Sequence, residues 1–382
     1  MKHRSIVLLL VIGLALGFAG MAVAESGEGS ISTSTAAGEG IDINFHGYGE
    51  MHYNNPGTGS KVPDPDAPAE MDFHRMVLGW SVAFNDRMRL HAEIDFEHAA
   101  TELELEFAYL EFGLLEGLQV RAGNLLMPVG NLNEFHEPTL FYSVERPYVQ
   151  AYIIPTTWQE GGVGIAGSLP VGLRYRLYYV TGLDAEGFSG AKGIRDGRVA
   201  LTDEKVAEKM AVVGRLEYVG LPGVQLGASY YQGGANQLET TPEADVSILE
   251  ADFSAKFGGL ELRGMHAAVN IDGADELSAA LADVIGEKMV GTNVEAAFHL
   301  LPLLLKGTEQ DLVLFGRWER FNTQDEVPSG LTANEKNDRT VITYGLAYFP
   351  DPDIAIKVDQ ERWKDKADNK EDRLNVGIAY MF

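Results

Sequence analysis

The sequence predicts an all-β protein, a 16-stranded antiparallel transmembrane β-barrel with one long loop folded inward as a constriction. Three observations support this prediction. Sixteen segments of the 382-residue chain alternate apolar and polar residues with the period of two that strands have. Charged residues fall on one face only of these segments. Short and long connections alternate along the chain, and an even strand number with one trimmed rim is typical of outer-membrane barrels.

Residues 1–24 have the features of a secretory signal peptide. Lys2 and Arg4 precede an apolar run, and Ala22-Val23-Ala24 forms a small-residue cleavage site. The run is shorter than the roughly 20 residues of a membrane helix, and no later segment supplies such a helix. A membrane form of this chain must therefore be a closed barrel, since unpaired backbone groups are too costly in lipid.

Residues 25–40 consist mainly of Ser, Gly, Thr and Ala and are predicted to form a disordered periplasmic leader. The barrel is then expected to occupy residues 41–382. The exported chain has no cysteine, which excludes a disulfide framework and thiolate metal sites. Without Lys2 and Arg4 the formal net charge of −26 becomes −28, which argues against nucleic-acid binding. This charge suits an acidic rim facing divalent cations and lipopolysaccharide, or simply solubility.

The predicted strands are separated by turn residues such as Asn85-Asp86 and Gly258-Gly259. In chain order they are 42–53, 73–84, 87–98, 104–113, 118–124, 159–169, 173–181, 210–219, 224–232, 246–257, 260–270, 290–300, 311–321, 340–349, 354–364 and 372–382. Short turns are predicted after the even-numbered strands up to the fourteenth, and longer loops after most odd-numbered strands. This parity favours a barrel with a periplasmic and an extracellular rim over a soluble β-sandwich.

The alternation assigns one face of each strand to lipid and the other to a polar lumen. The third strand places Arg89, His91, Glu93, Asp95 and Glu97 on the lumen face, and the seventh places Arg174 and Arg176 there. In the fourth strand we expect Leu103, Leu105, Phe107 and Tyr109 to face lipid and Glu104 and Glu106 to face the lumen. Sixteen strands enclose a lumen wide enough for water.

The last strand is the most regular of all. Leu374, Val376, Ile378, Tyr380 and Phe382 share one face, as expected of a lipid-facing strand that ends in an aromatic girdle. It resembles the C-terminal signal strand of bacterial outer-membrane barrels, whose terminal Phe is read by the insertion machinery. The resemblance implies that machinery, together with outer-membrane lipid, as partners.

Residues 125–158 form the candidate constriction. A connection of this length is usually functional or disordered, and its many prolines and aromatics argue against disorder. We expect it to fold into the lumen; packing on the outer rim is the alternative. The predicted pore-lining and constriction residues are Arg75, Arg89, Arg121, Glu134, His136, Glu137, Glu145, Arg146, Arg174, Arg176 and Arg215. Opposed arginine and carboxylate rows would make a transverse field in the pore, or salt bridges that stiffen its wall.

Several motifs in the first half of the chain resemble the phosphate-selective porin O/P-like family. They are His46-Gly47-Tyr48-Gly49-Glu50, Phe73-His74-Arg75-Met76, Glu93 to His98, Arg121 to Asn124 with Pro128-Val129-Gly130, Glu145-Arg146-Pro147 and Gln159 to Gly162. The resemblance implies a 16-stranded, homotrimeric channel with the third long loop folded inward. It does not extend to the lysine-rich pore lining of that family, because no lysine lies between Lys61 and Lys192.

Other motifs indicate no cofactor or metal. The glycine pattern from Gly162 to Gly167 is followed by Pro170 and a strand instead of the helix that dinucleotide binding requires. His136-Glu137 lacks the second histidine of a zinc helix. Residues 275–285 show the one helical pattern, which predicts a lid or intersubunit helix in an extracellular loop, with local loop packing as the alternative.

The expected function is passive diffusion of small hydrophilic, preferentially anionic, solutes across the bacterial outer membrane, without enzymatic activity. A substrate-specific channel for organic acids such as dicarboxylates, or for phosphate, is the alternative within transport, since arginine binds carboxylates in bidentate fashion. A barrel enzyme, either a lipase or a protease, is the alternative from another class. The candidate bases for it are His46, His52, His74, His91 and His98, but no serine stands out as a partner. A soluble periplasmic β protein is a third alternative.

Overall fold

A computed structural model describes residues 41–57, 67–199, 207–237 and 240–382. Its strands form one closed antiparallel barrel in which each strand pairs with its sequence neighbours and β1 pairs with β16. The prediction of sixteen antiparallel strands is therefore confirmed. The predicted signal peptide and periplasmic leader, residues 1–40, lie outside the described residues.

The strands differ from their predicted bounds by only a few residues at each end. They are β1 Asp42–Asn55, β2 Glu70–Asn85, β3 Met88–Glu97, β4 Glu102–Leu115, β5 Leu118–Leu126, β6 Gln159–Leu169, β7 Leu173–Thr181, β8 Met210–Leu221, β9 Val224–Gly234, β10 Asp245–Phe257, β11 Leu260–Asp272, β12 Lys288–His299, β13 Asp311–Glu326, β14 Asp338–Asp351, β15 Ile354–Asp365 and β16 Lys370–Met381. The described α-helices are Val149–Tyr152, Ala274–Leu281 and Leu301–Leu304. None of them is long and apolar enough to cross a membrane.

Side chains alternate across the barrel wall as the sequence pattern predicts. On β8, Leu216 is 56% exposed on the outer face, whereas Arg215 and Glu217 on either side of it are buried on the inner face. On β16, Ile378 is exposed and Asn375 and Ala379 are buried. The outside of the barrel is thus largely apolar, and most charged wall residues point inward.

The seam between β1 and β16 depends on two glycines. A Cβ on Gly47 would lie 2.7 Å from the Phe382 ring, and a Cβ on Gly49 would lie 2.7 Å from the Tyr380 hydroxyl. The two aromatic rings therefore lie over bare backbone. Gly47 and Phe382 also exchange two backbone hydrogen bonds of 3.0 and 2.9 Å, which continue the ladder beyond the end of β16.

The two rims of the barrel differ. Connections after even-numbered strands form a short-turn rim, and connections after odd-numbered strands form a long-loop rim. One connection departs from the predicted parity, because residues 300–310 after β12 include the helix Leu301–Leu304 and are longer than a tight turn.

A β-bulge corrects the predicted orientation of two aromatic side chains in β4. Glu93 pairs with Phe107, whereas Ile94 pairs with Leu105, so Glu106 is an extra residue in β4. The bulge shifts the alternation by one position, and Phe107 and Tyr109 line an internal cavity. The prediction that they face lipid was wrong, because a one-residue shift moves every following side chain to the other face.

The inner face is not polar throughout. Near the long-loop rim, the inward residues Val213, Ile248, Val269 and Met289 are completely buried and belong to one apolar cluster. Residues of the long connections complete this cluster, among them Ile153, Trp158, Leu183, Phe188, Ile194, Leu277 and Ile285. The expectation of a uniformly wet inner face was therefore wrong at this end, because folded connections cover the strands there.

The helix in the β11–β12 connection belongs to the same cluster. It spans Ala274–Leu281, shorter than predicted, and the next residue, Ala282, has a φ of 53°. Leu277 and Ile285 are buried within the chain. These contacts favour local loop packing over the lid or intersubunit role that the sequence pattern suggested.

Replacing Ile248 tests the apolar cluster inside the barrel. We expect Ile248→Ala to lower the free energy of unfolding by about 2–4 kcal/mol, because it leaves a cavity in a packed interior. Leu249→Ala is the matched control, since Leu249 is 63% exposed on the outer face and detergent can fill the space left there. Denaturant unfolding of the detergent-solubilised protein measures both values. Equal, small losses would show that the inner face at Ile248 is wet.

Candidate functional site

The segment of residues 127–158 contacts inward-facing side chains around much of the barrel. The Tyr142 hydroxyl donates a hydrogen bond to Glu261 of β11 at 2.9 Å, and the Val144 N–H donates to Asp359 of β15 at 2.6 Å. Further contacts join the segment to β1, β7 and β13. Two backbone N–H groups of this irregular segment, those of Val144 and Val149, thus donate to wall carboxylates, in keeping with the need of buried backbone for partners.

His136 is the centre of one such contact. Its Nδ1 donates to the Asn133 carbonyl at 2.9 Å, while its Nε2 lies 2.8 Å from the Glu106 carboxylate and 2.9 Å from the Tyr48 hydroxyl. Its own carbonyl accepts a hydrogen bond from Arg75. His136 is 3% exposed, so this predicted constriction residue anchors the segment to β1, β2 and β4.

Most of the predicted wall arginines are held in ion pairs. Arg75 lies 2.7 Å from Glu50, and Arg121 lies 3.0 Å from Glu111. Arg215 contacts three carboxylates, those of Glu217, Glu250 and Asp252, and like Arg75 it is buried. The salt-bridge alternative thus describes these residues, because a buried guanidinium needs carboxylates around it.

Three other arginines differ from this pattern. Arg89 and Arg174 are exposed, and neither side chain forms a hydrogen bond or ion pair with another described residue. Arg146, in the segment 127–158, is half-buried and likewise has no recorded partner among the described residues. Burial, and then the neighbouring charge of Arg75, lower the pKa of Arg146 to about 10.

The predicted acidic residues of the segment have separate surroundings. Glu145 accepts a hydrogen bond from Asn54 at 3.1 Å and lies 3.3 Å from Nδ1 of His52. Burial alone would raise its pKa, but the hydrogen bond and charge of His52 outweigh burial and lower the pKa to about 2. Glu137 is half-buried, and one of its carboxylate oxygens has no hydrogen-bond partner among the described residues.

A cavity of about 180 Å³ lies between the segment and the inner wall. It is lined by Phe107, Tyr109, Arg121, Leu125, Leu126, Glu134, Phe135, Arg176 and Tyr178. Aromatic rings, two guanidinium groups and the carboxylate of Glu134 therefore surround one space. This composition suits a solute that combines an apolar body with a negative charge.

Hydrogen bonds fix the charged groups of the cavity. Arg121 donates to the Tyr178 hydroxyl at 3.1 Å, and its guanidinium lies 5.4 Å from the centre of the Tyr109 ring. Arg176 bridges Glu134 at 2.9 Å and Glu217 at 2.8 Å. Burial raises the pKa of Glu134, although Arg176 and Arg121 oppose this.

Sequence reasoning missed the aromatic part of this cavity. Tyr178 could have been included, because it shares the inward face of β7 with Arg174 and Arg176. Phe107 and Tyr109 could not, because strict alternation places them outside and only the bulge at Glu106 turns them inward.

No family model matches the chain. A protein of Aquifex aeolicus (strain VF5), described as an uncharacterized protein, is 32% identical in an alignment of 356 residues that covers 88% of this chain and 79% of the Aquifex protein. The chain belongs to the family of this Aquifex protein.

Solved structures show the same fold at low identity. The anion-selective porin from Comamonas acidovorans has a TM-score of 0.56 at 12% identity, covering 90% of this chain and 100% of the porin. The outer-membrane channel DcaP of Acinetobacter baumannii has a TM-score of 0.58 at 13% identity, covering 90% and 98%. OmpT, an outer-membrane protein of Vibrio cholerae in a trimer form, has a TM-score of 0.56 at 10% identity, covering 90% and 100%.

These matches confirm the predicted transmembrane-type, 16-stranded antiparallel β-barrel at the level of the fold alone. The resemblance to the phosphate-selective porin O/P-like family remains a prediction.

Arg317 tests the ion pairs that connect wall and segment. Its guanidinium donates to Glu319 at 2.7 Å and to the Ser143 hydroxyl at 2.6 Å, and it is buried. We expect Arg317→Met to lower the free energy of unfolding by about 3–5 kcal/mol, because it leaves buried carboxylates uncompensated.

Arg320→Met is the control for this prediction. Arg320 lies on the outer face of the same strand and pairs with Asp338 in an exposed position, where a salt bridge contributes about 0–1 kcal/mol. Denaturant unfolding in detergent provides the measurement. Equal effects of the two substitutions would contradict a structural role for the internal ion pair.

Proposed function

We propose that this protein is an outer-membrane porin whose barrel forms a water-filled channel for passive diffusion of small hydrophilic solutes. The observation that supports this most is the closed barrel itself, apolar outside and charged inside, with the segment 127–158 held among inward-facing side chains. Short turns are periplasmic and long loops extracellular in such barrels. We therefore assign the short-turn rim to the periplasm and the long-loop rim to the outside of the cell.

The segment 127–158 is the constriction in this proposal. It narrows the lumen together with the apolar cluster near the long-loop rim, so solutes pass along the remaining polar wall. Of the predicted pore-lining residues, we assign solute contact to Arg89, Arg121, Glu134, Arg174 and Arg176. Arg146 and Glu137 border this path, whereas Arg75, His136, Glu145 and Arg215 hold the segment and the wall in place.

A preference for anions is part of the proposal. Arg89 and Arg174 are exposed on the inner face near the short-turn rim without recorded ion pairs in the described residues, so their positive charge reaches the lumen. The acidic groups that dominate the net charge of the whole chain act less strongly on the pore. Exposed charges farther than about 8 Å from a permeating ion are screened at physiological salt.

The channel and its selectivity can be tested together in a planar lipid bilayer. The mature protein should give open-channel steps, and its reversal potential in a KCl gradient should lie on the anion side. The double substitution Arg89→Gln, Arg174→Gln should move the reversal potential toward the cation side, because it removes two uncompensated positive charges from the lumen.

Arg320→Gln is the control, since it removes an outward-facing arginine and should leave the potential unchanged. Folding of each variant is verified by the temperature at which its gel mobility shifts. Absence of conductance from folded wild-type protein would refute the channel. Conductance with an unchanged reversal potential in the double variant would refute the role of these arginines.

The proposed partners follow from the same function. We infer a homotrimer, supported by the trimer form of OmpT of Vibrio cholerae, which shares the fold. The apolar outer face would contact outer-membrane lipid and lipopolysaccharide. The insertion machinery would read the terminal strand that ends at Phe382, which is 62% exposed.

A substrate-specific channel for organic acids is a second candidate, favoured by the cavity beside Glu134. Arg121 and Arg176 offer charge-assisted hydrogen bonds to a carboxylate, and the surrounding rings offer apolar contact. The resemblance to the phosphate-selective porin O/P-like family supports phosphate as a competing anion.

Block of the KCl current by added anions separates these possibilities. Benzoate, succinate and phosphate are compared at equal concentration and neutral pH. We expect the organic acids to block, and Glu134→Gln to strengthen the block a few-fold, because the substitution releases Arg176 from a competing carboxylate. Phosphate blocking more strongly than both organic acids would favour the phosphate channel, and no block by any anion would favour a general pore.

A barrel enzyme remains the alternative from another class. Among the described residues, His46, His52, His74 and His98 each contact a carboxylate, but no serine or threonine hydroxyl is hydrogen-bonded to any of the candidate bases. Nucleophilic catalysis needs a nucleophile beside the base, which makes a channel the better-supported function. Lipolytic and peptidase assays on folded protein distinguish the two classes.

A further inference from the structure

We propose that Asp72, His74 and His98 form a binding site for a divalent transition-metal ion at the long-loop rim. Nδ1 of His98 lies 2.8 Å and Nδ1 of His74 lies 3.2 Å from the same Asp72 carboxylate oxygen, and the three candidate ligand atoms lie within 4.8 Å of one another. Zinc binds imidazole nitrogen and carboxylate oxygen at about 2.0–2.2 Å. The separations between the three ligand atoms are therefore close to those around a single bound ion. Only a small outward movement of the side chains is needed to admit the ion.

The donor set selects the class of metal. Two imidazole nitrogens with one carboxylate oxygen suit Zn²⁺, Ni²⁺ or Cu²⁺, whereas Ca²⁺ and Mg²⁺ prefer oxygen ligands alone. The side chains of His74 and His98 are 36% and 44% exposed, and that of Asp72 is 23% exposed. An ion can thus reach the site from solvent without opening the fold.

Two irregularities of the backbone bring the three residues together. The β1–β2 register shifts so that Glu50 pairs with Arg75 but His52 pairs with Asp72, and Phe73 and His74 of β2 therefore lie opposite the single residue Met51 of β1. His98 begins the β3–β4 turn, and its N–H donates to the carbonyl of His74 at 3.0 Å. The bulge and the turn are therefore joined by backbone as well as by side chains.

The β3–β4 turn has an unusual conformation. His98, Ala99 and Ala100 have φ angles of 48°, 56° and 68°, a left-handed region that is unfavourable for L-residues. Three such residues in succession need compensating interactions. A metal ion bound by His98 and Asp72 would provide one.

A second group of carboxylates points to a cation at the same place. Glu97, His98 and Glu102 form another set with ligand atoms within 4.8 Å, and Glu97 pairs directly with Glu102 across β3 and β4. Like charges directly opposite each other are destabilising, and neither carboxylate has a recorded ion pair in the described part of the chain. A cation bound beside His98 would relieve this repulsion.

The site is also connected to the segment 127–158. The His74 ring stacks on His52 with centroids 4.7 Å apart, and His52 Nδ1 lies 3.3 Å from Glu145 of that segment. An ion that fixes His74 would therefore fix His52 and its contact with the segment. An effect on conductance rests on the proposed channel function, whereas metal binding itself does not.

The test uses folded, detergent-solubilised protein that has been stripped with chelator and then titrated with Zn²⁺ in a calorimeter. Titration with Co²⁺ reports ligand type and coordination number through its visible absorption. We expect one ion per chain and a Co²⁺ spectrum of a nitrogen- and oxygen-ligated site. His98→Ala should weaken binding more than about tenfold, since loss of a supporting outer-shell group alone costs 10–100-fold.

Asp72→Asn is the second variant, because it leaves the β3–β4 turn unchanged and should also weaken binding more than about tenfold. His266→Gln is the matched control, since His266 is an exposed histidine on the outer face of β11 and should not affect binding. Unchanged binding in both site variants, or an equal loss in His266→Gln, would overturn the proposal and indicate an adventitious ion only. If the site variants lose metal binding and neither the wild-type protein nor any variant conducts, the result would support the metal site and refute the channel.

Discussion

Closure of the sheet is the constraint on which the rest of the structure depends. β1 and β16 pair in register from Tyr48 with Met381 to Asn55 with Leu374, so neither strand is left as an open edge. In a lipid environment an open edge would expose unpaired N–H and C=O groups at a cost of several kcal/mol each. Gly47 and Gly49 allow the terminal aromatic rings to cover this seam. Once the sheet is closed, every strand has a defined inside and outside.

In the closed barrel, the inward-facing charged side chains must be buried together with partners of opposite charge. Inward arginines such as Arg215 and Arg317 are nearly fully buried, and each lies among carboxylates of its own strand and of nearby strands. Such clusters tolerate little rearrangement, because removal of one partner leaves a buried charge. The same carboxylates bind backbone N–H groups of the segment 127–158, as Glu319 does for Val149. The ion pairs of the wall and the position of the segment 127–158 therefore depend on the same carboxylates.

The interior of the barrel differs between its two ends. Near the long-loop rim, apolar residues of the wall and of the connections form a packed cluster that includes Ile248 and Trp158. Toward the short-turn rim, Arg89 and Arg174 remain exposed. In the proposed channel, the packed cluster would supply a fixed geometry and the exposed arginines would supply uncompensated charge beside the solute path.

The sequence alone determined the strand number, the antiparallel order, the parity of most connections and the outward face of most strands. These features follow from local patterns of period two and from turn residues, which do not depend on distant contacts. The tertiary structure decided which arginines are neutralised, where the interior is dry and which aromatic rings face inward. Phe107 and Tyr109 turn inward because of the bulge at Glu106, and His74 meets His98 because of the register shift in β2. Such shifts arise from pairing between strands, so no periodicity within a single strand can reveal them.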